Sequence, residues 1–274
     1  MTLPDRFQFS QGSLQDYADC PRRFQLRFVL MQPWPALVTE SPAEAEEHMR
    51  RGADLHHLIH QHALGLEAER LEAMIHDPIL RRWWRTYMEH PPADVPEAVR
   101  RTEVVLAAPV AGRRLVARLD LLAVEPGQRA VIVDWKTPFK RPSRSTLAQR
   151  LQTRVYRTLA VRAVAPYNGG RAPEPEQVTM VYWFAQSNGA TERFPYDTQQ
   201  FAADATYLTG LVSEIASRQE PMWPLTPDPG RCRFCNYRSL CERAVKGSFV
   251  EELEDDLEAT QPEIDLEQIA EIAF

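Results

Sequence analysis

The pattern of apolar and polar positions predicts a helical first third, followed by strands and helices in alternation. Apolar residues recur at helical spacing up to the break at Pro91 and Pro92, and β-branched residues then alternate with polar ones. Turns at Gly112 and Gly127 separate the first three strands, which predicts an antiparallel meander. The predicted helices are 13–30, 43–66, 67–90, 144–164 and 198–218, and the predicted strands are 101–110, 114–124, 130–135, 177–185 and 191–194.

This order of elements favours one α/β domain with insertions. The 274 residues, 44% of them hydrophobic, are enough for a substantial core. After Glu220 the chain becomes proline-rich, then carries three closely spaced cysteines, and an acidic run follows. The predicted organisation is a single domain over 1–247, with a helical part (1–95), an α/β core (96–220) and a cysteine segment (221–247), followed by an acidic tail (248–274).

The distribution of charge matters more than its total. A net charge of −6 argues against a nucleic-acid partner, because phosphate binding normally needs an excess of Lys and Arg. Residues 251–274, however, carry ten acidic residues and no basic one, which leaves 32 basic against 28 acidic residues elsewhere. This gives mild support to a DNA partner. The tail either stays solvated or forms an amphipathic helix that binds a protein partner or a basic groove.

Targeting signals are not visible in the sequence. The N-terminal residues lack a basic-then-apolar leader, and no stretch approaches the roughly 20 apolar residues that span a bilayer. We therefore expect a cytoplasmic protein with no membrane partner.

Two carboxylates and a lysine stand near the ends of neighbouring predicted strands. Side chains alternate along a strand, so Asp134 and Lys136 share one face while Trp135 points to the other. Asp120 lies on the strand before, and a pair of carboxylates there is a hard oxygen site suited to Mg²⁺ or Mn²⁺. Lys136 could then orient the attacking water or stabilise phosphate charge. A salt bridge between Lys136 and an Asp is the competing interpretation.

Four histidines crowd into residues 56–62 of a predicted helix. His56 and His60 share a helix face at a spacing seen in metal sites, but a zinc-protease motif would need Glu where His57 stands. A single histidine on a helix is more often an ordinary polar residue, so His56 gains weight only from the acids elsewhere.

Four short motifs, taken in order, resemble the RecB-like branch of the PD-(D/E)xK nuclease superfamily. They are Gly52-x-x-Leu55-His56, Leu119-Asp120, Asp134-Trp135-Lys136-Thr137 and Gln152-x-x-x-Tyr156. The resemblance implies an α/β, restriction-endonuclease-like core with a mixed central sheet flanked by helices. It also implies that His56, Asp120, Asp134 and the Trp135 carbonyl bind Mg²⁺ or Mn²⁺, and that Lys136 is the catalytic lysine. Gln152 and Tyr156 would then support the active site and contact DNA.

All four cysteines of the chain fit one pattern, in which Cys20 joins Cys232, Cys235 and Cys241. Disulfides are not expected in a cytoplasmic protein, so the pattern indicates metal or cluster binding, and buried unliganded cysteines are the weakest alternative. Four thiolates suit either a structural Zn²⁺ ion or an iron-sulfur cluster. A resemblance to the iron-sulfur domains of AddB-type nucleases and CRISPR-adaptation exonucleases favours a 4Fe-4S cluster that clamps both ends of the fold.

The resemblance implies a metal-dependent deoxyribonuclease that processes single-stranded DNA or free DNA ends in repair, recombination or CRISPR adaptation. The alternative is a non-catalytic DNA-binding or scaffold subunit of a helicase-nuclease complex. A zinc-stapled binding module is a third possibility. The run Arg81-Arg82-Trp83-Trp84-Arg85 could add a stacking surface for single-stranded DNA, although consecutive tryptophans point to different sides of a helix, so at least one is expected in the core.

Overall fold

The computed structural model describes residues 3–4, 6–33 and 43–241. The predicted acidic tail, 248–274, and the end of the predicted cysteine segment, 242–247, lie outside the described residues. Within the described residues, no helix is long and apolar enough to cross a membrane.

The described helices follow the predicted ones with three added breaks. They are α1 (Gln11–Asp19), α2 (Pro21–Phe24), α3 (Ala43–Ala63), α4 (Ala68–Met74), α5 (Pro78–Glu89), α6 (Arg144–Gln149), α7 (Leu151–Ala163) and α8 (Thr198–Ser217). A π-helical turn, Gln25–Val29, continues α2. The single helices predicted over 13–30, 67–90 and 144–164 are therefore wrong as continuous helices.

Proline and backbone geometry explain the breaks. Pro21 and Pro78 each occupy the first turn of a new helix, where the missing N–H costs nothing. Asp77 caps α5 by accepting hydrogen bonds from two backbone N–H groups. Arg150 has an extended backbone and separates α6 from α7.

Within the described residues, six strands form one mixed sheet built around β3. The strands are β1 (Phe9–Ser10), β2 (Val99–Val110), β3 (Arg113–Glu125), β4 (Arg129–Lys136), β5 (Val178–Phe184) and β6 (Ala190–Pro195). β2 pairs antiparallel along one edge of β3, while β4 and the short parallel β1 share the other edge. β5 runs parallel to β4, and β6 runs antiparallel to β5. The predicted meander and the mixed α/β class are confirmed.

Helices cover both faces of the sheet and divide its core in two. One face packs against α1, α7 and α8, and the other against α3, α4 and α5. Alternation along β4 sends Ile132 to the first face and Trp135 to the second. Trp83 and Trp84 of α5 are 1% and 0% exposed, so the predicted stacking surface of that helix is wrong. The strong amphipathic pattern of α5 directs both rings into the core.

Candidate active site

The site lies where β3 and β4 stop pairing. Their last recorded pair is Leu121 with Val133, so Asp120 and Asp134 are the next opposed residues. There the side chain of Asp120 replaces a backbone partner, because its Oδ2 accepts a hydrogen bond of 2.8 Å from the Trp135 N–H. Both carboxylates are buried, which is costly unless cations or hydrogen bonds compensate.

Asp134 and Lys136 lie on the same face of β4, as strand alternation predicts. The Lys136 Nζ is 2.8 Å from Asp134 Oδ2, and Gln152 Nε2 donates to Asp134 Oδ1 at 2.8 Å. The ammonium of Lys136 also lies 5.5 Å from the centroid of the Tyr182 ring. The pair is almost fully buried, so each group compensates the charge of the other in a region that water barely reaches.

α3 brings His56 to the same place because Gly52 lets it approach the end of β4. A Cβ on Gly52 would lie 2.9 Å from Thr137 Oγ1, so a larger residue would force the Thr137 side chain to move. One turn further along, the Nε2 of His56 donates to the Trp135 carbonyl at 3.0 Å, and its Nδ1 is 3.3 Å from Asp120 Oδ1. His56 therefore bridges the β4 backbone and the Asp120 carboxylate.

The electrostatics of this group favour positive charge beside Asp120. Burial lowers the pKa of the His56 ring, but the Asp120 carboxylate more than offsets this and raises it to about 9. Burial would raise the pKa of Asp120, yet the charge and hydrogen bond of His56 and the Trp135 N–H hold it below its usual value. The carboxylate is therefore ionised and attracts a cation.

Glu103 is a polar neighbour that the sequence motifs did not identify. Its neighbours Thr102 and Val104 pair with Leu121 and Leu119, so Glu103 lies across from Asp120. Its backbone has φ +54°, a left-handed value that is unusual for a non-glycine residue inside a strand and costs roughly 1–3 kcal/mol. Burial and the charge of Asp120 raise the pKa of Glu103, while Arg118, 3.2 Å away, offsets this in part.

Three potential ligand atoms converge among the described residues. One atom each from His56, Glu103 and Asp120 lies within 4.8 Å of the others, and the Trp135 carbonyl is beside them. Asp134 is not part of this group, since its oxygens contact Gln152 and Lys136. Carboxylate and carbonyl oxygens are the ligands that Mg²⁺ and Mn²⁺ prefer, so the donor set fits a hard divalent cation.

α7 packs its first turns against the site. Gln152 and Tyr156 are four residues apart and face the same side of the helix. While Gln152 bonds Asp134, the hydroxyl of Tyr156 donates to the Arg118 carbonyl at 3.0 Å. That carbonyl belongs to the stretch of β3 between its pairings with β1 and β4, so Tyr156 supports the strand that carries Asp120.

A model of the family described as the PD-(D/E)XK nuclease superfamily matches residues 8–242 of this chain. The chain belongs to that superfamily. Its members are nucleases that use divalent metals, in agreement with the ligands gathered on β2, β3 and α3.

Two solved structures resemble this chain at low sequence identity. One solved structure, named as a candidate exonuclease from Eubacterium rectale, is 10% identical, with 90% of this chain and 92% of that chain covered and a TM-score of 0.46. A second, called SSO0001, is 13% identical, with 87% of each chain covered and a TM-score of 0.37. No curated protein matched this nuclease-family chain.

The four cysteines of this superfamily member line one cavity. Cys20 lies between α1 and α2, and Cys232, Cys235 and Cys241 lie on the short 3₁₀ turns 229–234 and 238–241. No disulfide joins them. The cavity therefore brings Cys20, from the N-terminal part of the chain, together with three cysteines that follow α8.

Charged residues surround the cysteine cavity. Arg23, Arg231 and Arg238 line it, and Arg23 is held by Asp16 at 2.8 Å and Asp19 at 2.9 Å. Asp19 also lines the cavity and pairs with Arg23 and Arg231, so three guanidinium groups face one carboxylate and the lining keeps an excess of positive charge. Burial raises the pKa of the Cys235 thiol to about 11, so its thiolate form requires a bound cation.

Proposed function

We propose that this chain is a divalent-metal-dependent DNA nuclease that hydrolyses phosphodiester bonds at single-stranded ends. The convergence of His56, Glu103 and Asp120 beside the buried pair Asp134–Lys136 carries the proposal. A purely structural ion pair would explain Lys136 and Asp134, but it would not explain three further ligand atoms at the same strand ends.

Each residue has a distinct role in this proposal. His56, Asp120, Glu103 and the Trp135 carbonyl would hold the Mg²⁺ or Mn²⁺ ion, and Asp134 would be a further ligand beside them. The ion, when bound, supplies Lewis-acid stabilisation of the charge that develops on the phosphate oxygens.

The remaining residues act on the water and on the phosphate. Lys136 donates hydrogen bonds to the attacking water and neutralises charge on the phosphate. Gln152 fixes the Asp134 carboxylate at 2.8 Å, and the Tyr182 hydroxyl donates to the Gln152 carbonyl oxygen at 3.3 Å. Tyr156 keeps the Asp120 strand in place through its bond to the Arg118 carbonyl. These are positioning roles, because they act through the groups that touch the substrate.

The cysteine cavity supports a second part of the proposal, a resident 4Fe-4S cluster. Four cysteines around one cavity can hold either a structural zinc ion or an iron-sulfur cluster. The resemblance of their spacing along the chain to that of iron-sulfur nucleases favours the cluster. The arginines of the lining would balance its negative charge.

A cleavage assay tests the nuclease proposal directly. With Mg²⁺ or Mn²⁺, the protein is expected to degrade labelled single-stranded DNA with free ends, and to act more slowly on blunt duplexes. Circular single strands, which have no ends, separate an end-dependent activity from an internal one. If no DNA substrate is cleaved although the protein binds DNA, the chain is a DNA-binding subunit and the proposed activity is wrong.

Replacing Glu103 with Gln tests its place among the metal ligands. The amide keeps the size of the side chain but removes its charge, so we expect the Mn²⁺ concentration for half-maximal cleavage to rise about ten-fold. Glu125→Gln, on the same sheet but at the exposed Arg129 ion pair, is the matched control. An unchanged metal dependence of Glu103→Gln would remove Glu103 from the ligand set.

A further inference from the structure

A basic segment connects the two halves of the proposed active site. Residues 137–151 run from Lys136 on β4 to Gln152 on α7, and they carry four cations and no carboxylate. Two of the cations, Arg141 and Arg144, share the single carboxylate of Glu192 at 2.6 and 2.9 Å. The segment therefore keeps a net positive charge beside the metal ligands, although the chain as a whole is negative.

Phe139 presents an aromatic ring on this segment. Its side chain is 51% exposed, whereas most aromatic residues of the described chain are buried. One face of the ring stacks on the imidazole of His48, with centroids 3.8 Å apart and planes 23° apart. Lys140, the next residue, is also exposed. An exposed aromatic ring beside a lysine is the combination that binds bases and phosphates of single-stranded DNA.

Contacts of His48 connect the Phe139 ring to the hydrophobic core. The His48 Nε2 lies 2.5 Å from the Thr137 carbonyl oxygen, and the imidazole packs edge-on against buried Trp83 at 5.3 Å. Trp83, which does not reach the surface itself, thus supports Phe139 through His48. A ring fixed in this way loses little conformational freedom when a base stacks on it.

The same contacts place the ring near the metal ligands. His48 contacts the Thr137 carbonyl and His56 contacts the Trp135 carbonyl, and these two residues are only two apart. Two residues of extended chain span at most about 7 Å. A strand that stacks on Phe139 therefore passes close to the metal ligands.

We propose that Phe139 and Lys140 form a platform that selects single-stranded DNA and guides it to the metal ligands. Because the faces of bases in a duplex are covered by their neighbours, only an unpaired strand offers a base to Phe139. Lys140 contacts a phosphate of the same strand. The inference rests on the proposed nuclease function and adds a specificity-determining residue to it.

Binding of DNA without cleavage tests the platform. In EDTA, which withholds divalent ions, Phe139→Leu is expected to bind a fluorescein-labelled dT12 strand about ten-fold more weakly than the wild type. Leucine preserves apolar packing on His48 but cannot stack on a base, and Phe139→Trp should restore or strengthen binding. Affinity for a blunt duplex should stay unchanged in both variants. Tyr207→Ala, at an exposed aromatic residue of α8, is the matched control.

Two further measurements identify the contacts. Lys140→Ala should reduce the slope of log affinity against log salt by about one phosphate contact. The fluorescence of 2-aminopurine, moved along the strand, should change with Phe139→Leu at one or two positions only.

The outcomes separate the platform from the nuclease itself. If the wild type cleaves DNA but Phe139→Leu binds dT12 as tightly as the wild type, the platform is wrong and the nuclease function stands. Equal losses of affinity for dT12 and for the duplex would also overturn the platform, since they indicate general damage to the protein. If the wild type neither binds nor cleaves DNA, both proposals are wrong.

Discussion

Lys136→Met and Asp134→Asn are each expected to lower Mg²⁺- or Mn²⁺-dependent cleavage of single-stranded DNA by on the order of a thousand-fold. Met keeps the length of the lysine stem without its charge, and Asn can still accept a hydrogen bond from Gln152. Initial rates on a labelled oligonucleotide, measured beside circular dichroism spectra and melting curves, check the expectation.

The double variant separates catalysis from structure. Removing one partner of a buried ion pair leaves the other charge uncompensated and typically costs about 3–5 kcal/mol, whereas replacing both can be nearly neutral. If the pair is only structural, Asp134→Asn with Lys136→Met should recover both stability and activity. If the pair is catalytic, stability recovers and activity does not.

An exposed carboxylate provides the control for this experiment. Asp94→Asn removes a surface acid that pairs with Arg129 and Arg193, and it should change neither rate nor stability appreciably. Undiminished cleavage by either single variant at the buried pair would remove Asp134 and Lys136 from the site.

The part of the site that lies on one element could be predicted from the sequence. Strand alternation alone places Asp134 and Lys136 on one face, and helical spacing alone places Gln152 and Tyr156 on one side of α7. These relations depend on local periodicity. The order of strands in the meander likewise followed from short turns.

Contacts between residues on different elements could not be predicted from local periodicity. Glu103 meets Asp120 only because β2 and β3 pair in one particular register, and a shift of one residue would send it to the other face. The left-handed backbone of Glu103 could not be predicted either, because a Glu in the sequence does not indicate that conformation. Phe139 is similar: its exposure depends on the packing of α3 against the end of β4, which hydrophobicity does not encode.

The predicted stacking surface at Trp83 and Trp84 was wrong for a different reason. Arginines flank the pair in the sequence, which resembled a binding surface, but the helical period turns Arg81, Arg82 and Arg85 away while both rings enter the core. The composition of a five-residue run therefore predicts a binding surface less well than the helix face on which each residue lies.

Cys20→Ser is expected to remove the proposed cluster and lower the midpoint of thermal unfolding by about 10 °C or more. Cys20 lies at the junction of α1 and α2, whereas its three partners follow α8, so the cluster would join the two ends of the described chain. Losing such a link releases both segments together. The wild type, purified without oxygen, should be brown and contain about four iron atoms per chain.

Gln25 offers a control that joins the same two segments without touching the cavity. Its buried amide donates to the Pro221 carbonyl at 3.1 Å and accepts from the Trp223 N–H at 3.0 Å. Gln25→Ala should therefore lower the melting temperature, by a few degrees, while iron content and visible absorption stay at the wild-type level. Cys20→Ser should lose stability, iron and colour together. A colourless wild type with one zinc ion per chain would overturn the iron-sulfur assignment.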